Sequence, residues 1–224
     1  MNSVSIDVCS ARGGRARGYD RARREGVEWA LAAPLPNPGF RMAPNATIHK
    51  AQIQVSDMDR HYYAAHALTL ARHPSETELR VMVRLLAFAL FADERLAFGR
   101  GLSEDDGPDL MQSELDGRVA RWIELGQPDE ARVRRACGRA REVVVVGYAG
   151  RAFELWWEKS RAALDRLDNL AVVDVSAAAA RLTEGLARNM DVQCLVQDGV
   201  VQWIDCLGTA ELTPRWLQRP GAMA

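Results

Sequence analysis

Lysine is almost absent from this 224-residue chain. Lys50 and Lys159 are the only two, and arginine supplies the rest of the positive charge. That scarcity limits where a catalytic lysine can stand. Cysteine is sparse as well: Cys9, Cys137, Cys194 and Cys206 are widely spaced and form no C-x-x-C pair. This argues against a disulfide frame and a cysteine zinc site, and reads as reduced cytoplasmic thiols. The four histidines, His49, His61, His66 and His73, lie early and form no H-E-x-x-H, so a histidine–metal centre is not expected. No apolar run approaches the roughly eighteen residues of a membrane span, so no membrane partner is expected. There is no G-x-S-x-G, no Walker loop and no G-x-G-x-x-G, and no nucleotide cofactor is expected. A formal net charge of −1 gives no global field favouring nucleic acid.

What remains is 48% hydrophobic and 26% charged, the profile of a globular protein. The chain divides by composition. Residues 1–41 are rich in Gly and Arg, carry a net +3 and lack apolar periodicity; the remainder carries −4. A segment of that kind buries too little apolar surface to offset an ordering entropy of about 1–2 kcal/mol per residue. It reads as a disordered extension, and a sharper reading makes Met42 the natural start. Residues 42–224 read as one mixed domain.

Within that domain, 46–55 and 62–71 read as strands, with Asp57–Arg60 as the turn. A long helix is expected from about Ser75 to Phe98, with Ser75 and Glu78 as a capping box. Residues 101–109 read as a polar loop. The stretch 111–126 reads as a hairpin turning at Asp116-Gly117. A helix follows Pro128, then a buried parallel strand at 142–148, a helix carrying Phe153, Trp156, Trp157 and Leu164, and a strand at 170–175. A helix capped by Ser176 precedes a last hairpin turning at Asp198-Gly199. The alternation predicts an α/β or α+β fold with a mixed central sheet flanked by helices.

One block stands out chemically. Glu124 sits inside an apolar strand with Trp122, Ile123 and Leu125, and a buried carboxylate is costly unless a cation, a metal or hydrogen bonds satisfy it. Alternation puts Trp122 and Glu124 on one face. Glu114, before the hairpin turn, is expected to lie beside Glu124 across the ladder, where opposed Cβ atoms are about 5 Å apart. Two carboxylates at that range would suit a divalent cation that activates water. The alternative pairs Glu124 with Arg132, Arg134 or Arg135. Arg132, Arg135 and Arg139 form a basic stripe that either holds phosphates or is a solvated helix face. Glu76 and Arg80 share a helix face and either satisfy each other or aim Glu76 toward Glu124. Tyr148 closes the valine-rich strand.

Several of these segments carry a family resemblance. ATIHKAQIQVSDMDR, LTLARHPSET, RLLAFALFADERLAFGRGL, WIELGQPDEARVRRAC, YAGRAFELWW and VQDGV resemble, in this order, the bacterial YaeQ family, over residues 42 to about 218. The resemblance implies a fold like the PD-(D/E)XK nuclease superfamily. In that pattern a helix glutamate precedes a hairpin acid, a strand acid, and a lysine two residues later. On this chain it implies Glu76, then Glu114 (or Asp116), then Glu124, with Gly126 at the lysine position. Glycine can neither position water nor stabilise a developing phosphate charge, and Gln127 is the neighbour that would orient water. The reading that follows is a binding or regulatory protein with a remodelled acidic site and a nucleic-acid or protein partner. The competing reading is a nuclease-like hydrolase holding Mg²⁺ or Mn²⁺ on Glu114 and Glu124.

Overall fold

A computed structural model describes residues 46–99 and 107–220. The expected extension at 1–41 and most of the polar loop at 101–109 lie outside the described residues. Strand β1 (Thr47–Asp57) buries Ala51, Ile53 and Val55 and exposes Lys50, Gln52 and Gln54. That is the period-two pattern of a strand with one wet face. It pairs antiparallel with β2 (Tyr62–Arg72) in unbroken register, from Thr47 opposite Arg72 to Asp57 opposite Tyr62. On its other side β1 pairs in parallel with β8 (Asn189–Gln197), which continues antiparallel into β9 (Val200–Asp205). Asp198 and Gly199 both have positive φ at that turn, the backbone a tight hairpin requires. With β10 (Gly208–Leu212) the first sheet runs β10-β9-β8-β1-β2.

The second sheet has six strands in the order β11-β7-β6-β5-β4-β3. These are β3 (Leu96–Phe98), β4 (Leu110–Ser113), β5 (Val119–Leu125), β6 (Ala140–Gly147), β7 (Leu170–Asp174) and β11 (Arg215–Gln218). Strands β5, β6 and β7 are parallel. Val143, Val144, Val145 and Val146 of β6 are all fully buried, as a central parallel strand covered on both faces demands. A single central sheet was expected, and two are found. The reason is that β1 finds its parallel partner near the other end of the chain, a non-local pairing that alternation does not encode.

Helix α1 (Glu78–Leu90) is buried on every side from Val81 to Ala89, as an apolar-all-round helix must be. It shares one core with the inner faces of both sheets and with Leu182 of α4 (Ala179–Glu184). Its N-cap is Thr77, whose side chain accepts the Arg80 N–H, rather than Ser75. It also ends at Leu90, not Phe98: a turn holding Leu96 N–H on the Asp93 carbonyl intervenes, and Leu96–Phe98 become an edge strand. Likewise Ser176 opens a short 3-10 turn and hydrogen-bonds Asp174, while α4 begins after Ala178 with no side-chain cap. The outer face of the second sheet is covered by α2 (Glu130–Cys137) and α3 (Arg151–Leu164) through a second core of Trp122, Val133, Val143, Val145, Phe153 and Leu164. Gly147 lets the Phe153 ring lie against the end of β6, where a Cβ would meet ring carbons at about 2 Å.

Candidate functional site

The carboxyl ends of β5 and β6 gather the polar residues that the two cores exclude. Alternation along β5 sends Ile123 and Leu125 toward α1, and Trp122 and Glu124 toward α2. Glu124 is only 3% exposed. Its Oε1 accepts from Trp122 Nε1 at 2.7 Å and from Arg132 Nε at 2.9 Å. Arg132 is brought there by the start of α2, where Asp129 caps the helix by accepting the Arg132 N–H at 2.8 Å. A second Arg132 nitrogen donates to the Gly107 carbonyl at 2.6 Å. Burial still dominates, so the Glu124 carboxyl lies above its ordinary range despite the bonds from Arg132 and Trp122.

Asp109 immediately precedes β4 and is 5% exposed. One carboxylate oxygen accepts the Leu125 N–H at 2.8 Å, and its own N–H donates to the Ile123 carbonyl at 2.9 Å. The other oxygen takes a short hydrogen bond from Arg80 in the first turn of α1. Arg80 also donates to Glu76 at 2.7 Å. Arg84, one turn further on, donates to both Glu76 oxygens at 3.3 and 3.1 Å and to the Ala71 carbonyl at 3.1 Å. Its guanidinium lies 5.3 Å from the centre of the Phe98 ring. Tyr148 stands beside Arg80; burial raises its phenol, and the Arg80 charge pulls the other way without prevailing.

Glu114 does not reach this cluster. The ladder sets Leu110 opposite Ile123 and Met111 opposite Trp122, with a register shift between Gln112 and Ser113. Glu114 therefore lies at the hairpin turn, at the other end of β5 from Glu124. There it pairs loosely with Arg118 at 3.4 Å and Arg141 at 3.8 Å and lines a shallow hollow with Arg95 and Gln112. Asp116 pairs with Arg118 at 2.7 Å. The expected opposition of Glu114 and Glu124 does not occur, because the chain turns near residues 116–117, earlier than the turn near 119 that such a register requires. Gln127 is exposed in the loop before α2. The arginine stripe divides: Arg132 turns inward, while Arg135 and Arg139 are exposed.

Gly126 has a φ of +94°, left-handed backbone that an L side chain adopts only with strain, and the Tyr148 ring lies 3.7 Å from where its Cβ would be. Lys50 and Lys159 are both exposed, on β1 and α3. Sequence reasoning missed Asp109 and the reach of Arg80 and Arg84. The signal for the first was an acid directly before an apolar strand. The signal for the others was the four-residue spacing of 76, 80 and 84, although Glu76 lies in the turn before α1 rather than on the helix as expected.

Three buried carboxylates thus meet three guanidiniums, and the formal charges balance. Among the described residues no group of three or more His, Cys, Asp or Glu is placed to hold a metal ion. The described cysteines, Cys137, Cys194 and Cys206, are free. No described helix is long and apolar enough to cross a membrane.

Taken together, the fold and this cluster define a two-sheet α+β protein with an arginine-locked acidic centre at the ends of its parallel strands. A family model described as YaeQ protein matches residues 42–214, and the chain belongs to that family. It is 41% identical over 180 residues to the proteins named YaeQ of Salmonella typhi and of Escherichia coli strain K12; each match covers 80% of this chain and 99% of the relative. The crystal structure of the YaeQ protein from Xanthomonas axonopodis pv. citri superposes with a TM-score of 0.76 at 54% identity, covering 79% of this chain and all of that one. The YaeQ protein from Pseudomonas syringae gives 0.74 at 36% identity, covering 78% and 97%.

Proposed function

We propose that this protein works by binding, as a regulatory or adaptor protein, on a fold related to the PD-(D/E)XK nucleases whose acidic centre has been converted from a metal site into an ionic lock. The observation that carries this reading is the pairing itself: Glu124 on Arg132, Asp109 on Arg80, and Glu76 on Arg80 and Arg84. In the nuclease pattern, Glu76 in the turn before α1 would stand for the helix acid, and Asp109 and Glu124 for the hairpin and strand acids, with Asp109 in place of Glu114. An acid that already holds a guanidinium has to release it before binding a cation, and a buried pair resists being broken by about 3–5 kcal/mol. Gly126 supports the same reading, since a lysine there would have to adopt left-handed backbone. The protein is taken to act in the cytoplasm, consistent with its scattered thiols.

A second reading is favoured by the position of Asp109, whose carboxylate accepts the N–H of Leu125, the residue next to Glu124, at 2.8 Å. Under it, substrate or metal displaces Arg80 and Arg132, and Mg²⁺ or Mn²⁺ on Asp109 and Glu124 activates water for phosphodiester hydrolysis. Cleavage assays on single-stranded, duplex and structured DNA and RNA with Mn²⁺ separate the two. The binding reading expects no cleavage by wild type and retention of any nucleic-acid or protein binding in Glu124→Gln. Cleavage by wild type that Glu124→Gln abolishes would establish the hydrolase instead.

A further inference from the structure

The two sheets present four edges, and three are guarded in familiar ways. Strand β3 is only three residues long. Strand β11 has four residues, starts at Arg215 and has a register shift between Trp216 and Gln218. Strand β10 has five residues and carries Glu211. Short length, charge and irregularity are the means by which sheet edges avoid pairing with other chains.

Strand β2 has none of these over its first ten residues. It is eleven residues long, spanning roughly 35 Å at the usual rise per residue. Its register with β1 is continuous over every pair, so it is neither bulged nor locally bent away. Residues 62–71, Tyr-Tyr-Ala-Ala-His-Ala-Leu-Thr-Leu-Ala, contain no Asp, Glu, Lys, Arg or Pro. Among the described residues no strand pairs with its outer side, where alternate N–H and C=O groups point away from β1. Tyr63, at 61% exposure, stands on the open face, followed on that face by exposed Ala65, Ala67 and Thr69. The two alanines leave the centre of the edge unobstructed.

We propose that a second copy of this chain pairs with β2, antiparallel and edge to edge about a two-fold axis, so that two five-stranded sheets become one ten-stranded sheet. A two-fold axis pairs the edge with itself, residue i of one copy facing residue j of the other and j facing i, so a strand charged with one sign would meet like charges. This strand has none over ten consecutive residues. The arginines just beyond it are already committed, Arg60 to Asp57 at 2.6 Å and Arg72 to Glu78 at 3.0 Å. Alternation is also preserved across the axis: residues 63, 65, 67 and 69 of both copies fall on the open face, and 64, 66 and 68 on the core-facing side. Self-pairing thus satisfies the exposed backbone without burying an unpaired charge.

Sedimentation velocity on the full chain, from micromolar to near-millimolar concentration, tests this with two variants. A65K/A67K places like charges at the centre of the pair, and A65E/A67E does the same with opposite sign. Both positions are exposed on the open face, and circular dichroism with thermal melts verifies that each variant folds. The wild type is expected to dimerise with increasing concentration. Each variant alone is expected to remain monomeric, and an equimolar mixture of the two is expected to recover the dimer, whatever the register. A wild type that stays monomeric overturns the proposal, as it would if another part of the chain covered this edge. So do a dimer that both variants retain and a mixture that fails to reassociate.

Discussion

At the ends of β5 and β6 three acids are each held by arginine inside the molecule; along β2 eleven residues of backbone find no strand on their outer side among the described residues. The contrast locates where this protein has settled its interactions internally and where it has left them open. The acidic centre reads as reactive in sequence, because acids cluster there, yet each of its carboxylates already holds a guanidinium. The edge strand reads as bland in sequence, because it lacks charge, yet it keeps unspent hydrogen-bonding capacity. Chemical character in a sequence is thus a guide to location, while saturation, which only geometry reveals, decides what a region does.

The contrast breaks first at Glu76. Glu76→Ala strands Arg84, whose side chain is 3% exposed, against the Ala71 carbonyl and the Phe98 ring. A buried charge stripped of its partner should cost about 3–5 kcal/mol, read as a lower urea midpoint. A loss under about 1 kcal/mol would mean that water reaches Arg84 and the lock is open. Gly126→Lys comes next. Left-handed backbone costs an L residue about 1–2 kcal/mol, so the variant should be less stable by that amount, and it should gain no cleavage activity. Cleavage gained would show that a lysine was the only part missing.

A subtler effect is in pH. Burial raises the Glu124 carboxyl above its unfolded value, so between the two values the folded state holds a proton that the unfolded state has released. The wild type therefore loses stability relative to Glu124→Gln as pH rises through that window. Denaturation of both proteins across the acid-to-neutral range measures the gap, and a gap that stays constant or widens the other way would contradict the burial argument. The smallest effect is expected at Glu114. Its pairs with Arg118 and Arg141 are long and solvent-facing, so Glu114→Ala should change stability by no more than about 0.5 kcal/mol.

Glu114 also shows how far the sequence could be read. The hairpin and its Asp116-Gly117 turn were legible, as were the valine strand, the Asp198-Gly199 turn and the face that Glu124 shares with Trp122. The register follows from that same turn and does not support Glu114: a turn at Asp116-Gly117 brings position 109, not 114, beside Glu124, and the shift between Gln112 and Ser113 displaces the ladder by only one residue. Strands β3, β10 and β11, of three to five residues, are too short for a period to emerge. The choice of Arg132 over its neighbours was open because all lie on one short helix, and the Asp129 cap sets its rotation.

Calorimetric titration of Mn²⁺ into the wild type and Glu124→Gln tests the ionic lock most directly. The account predicts no binding heat in either protein, because the carboxylates are held by Arg80, Arg84 and Arg132. A saturable one-site heat in the wild type that disappears in Glu124→Gln would contradict it and return the acidic centre to metal chemistry.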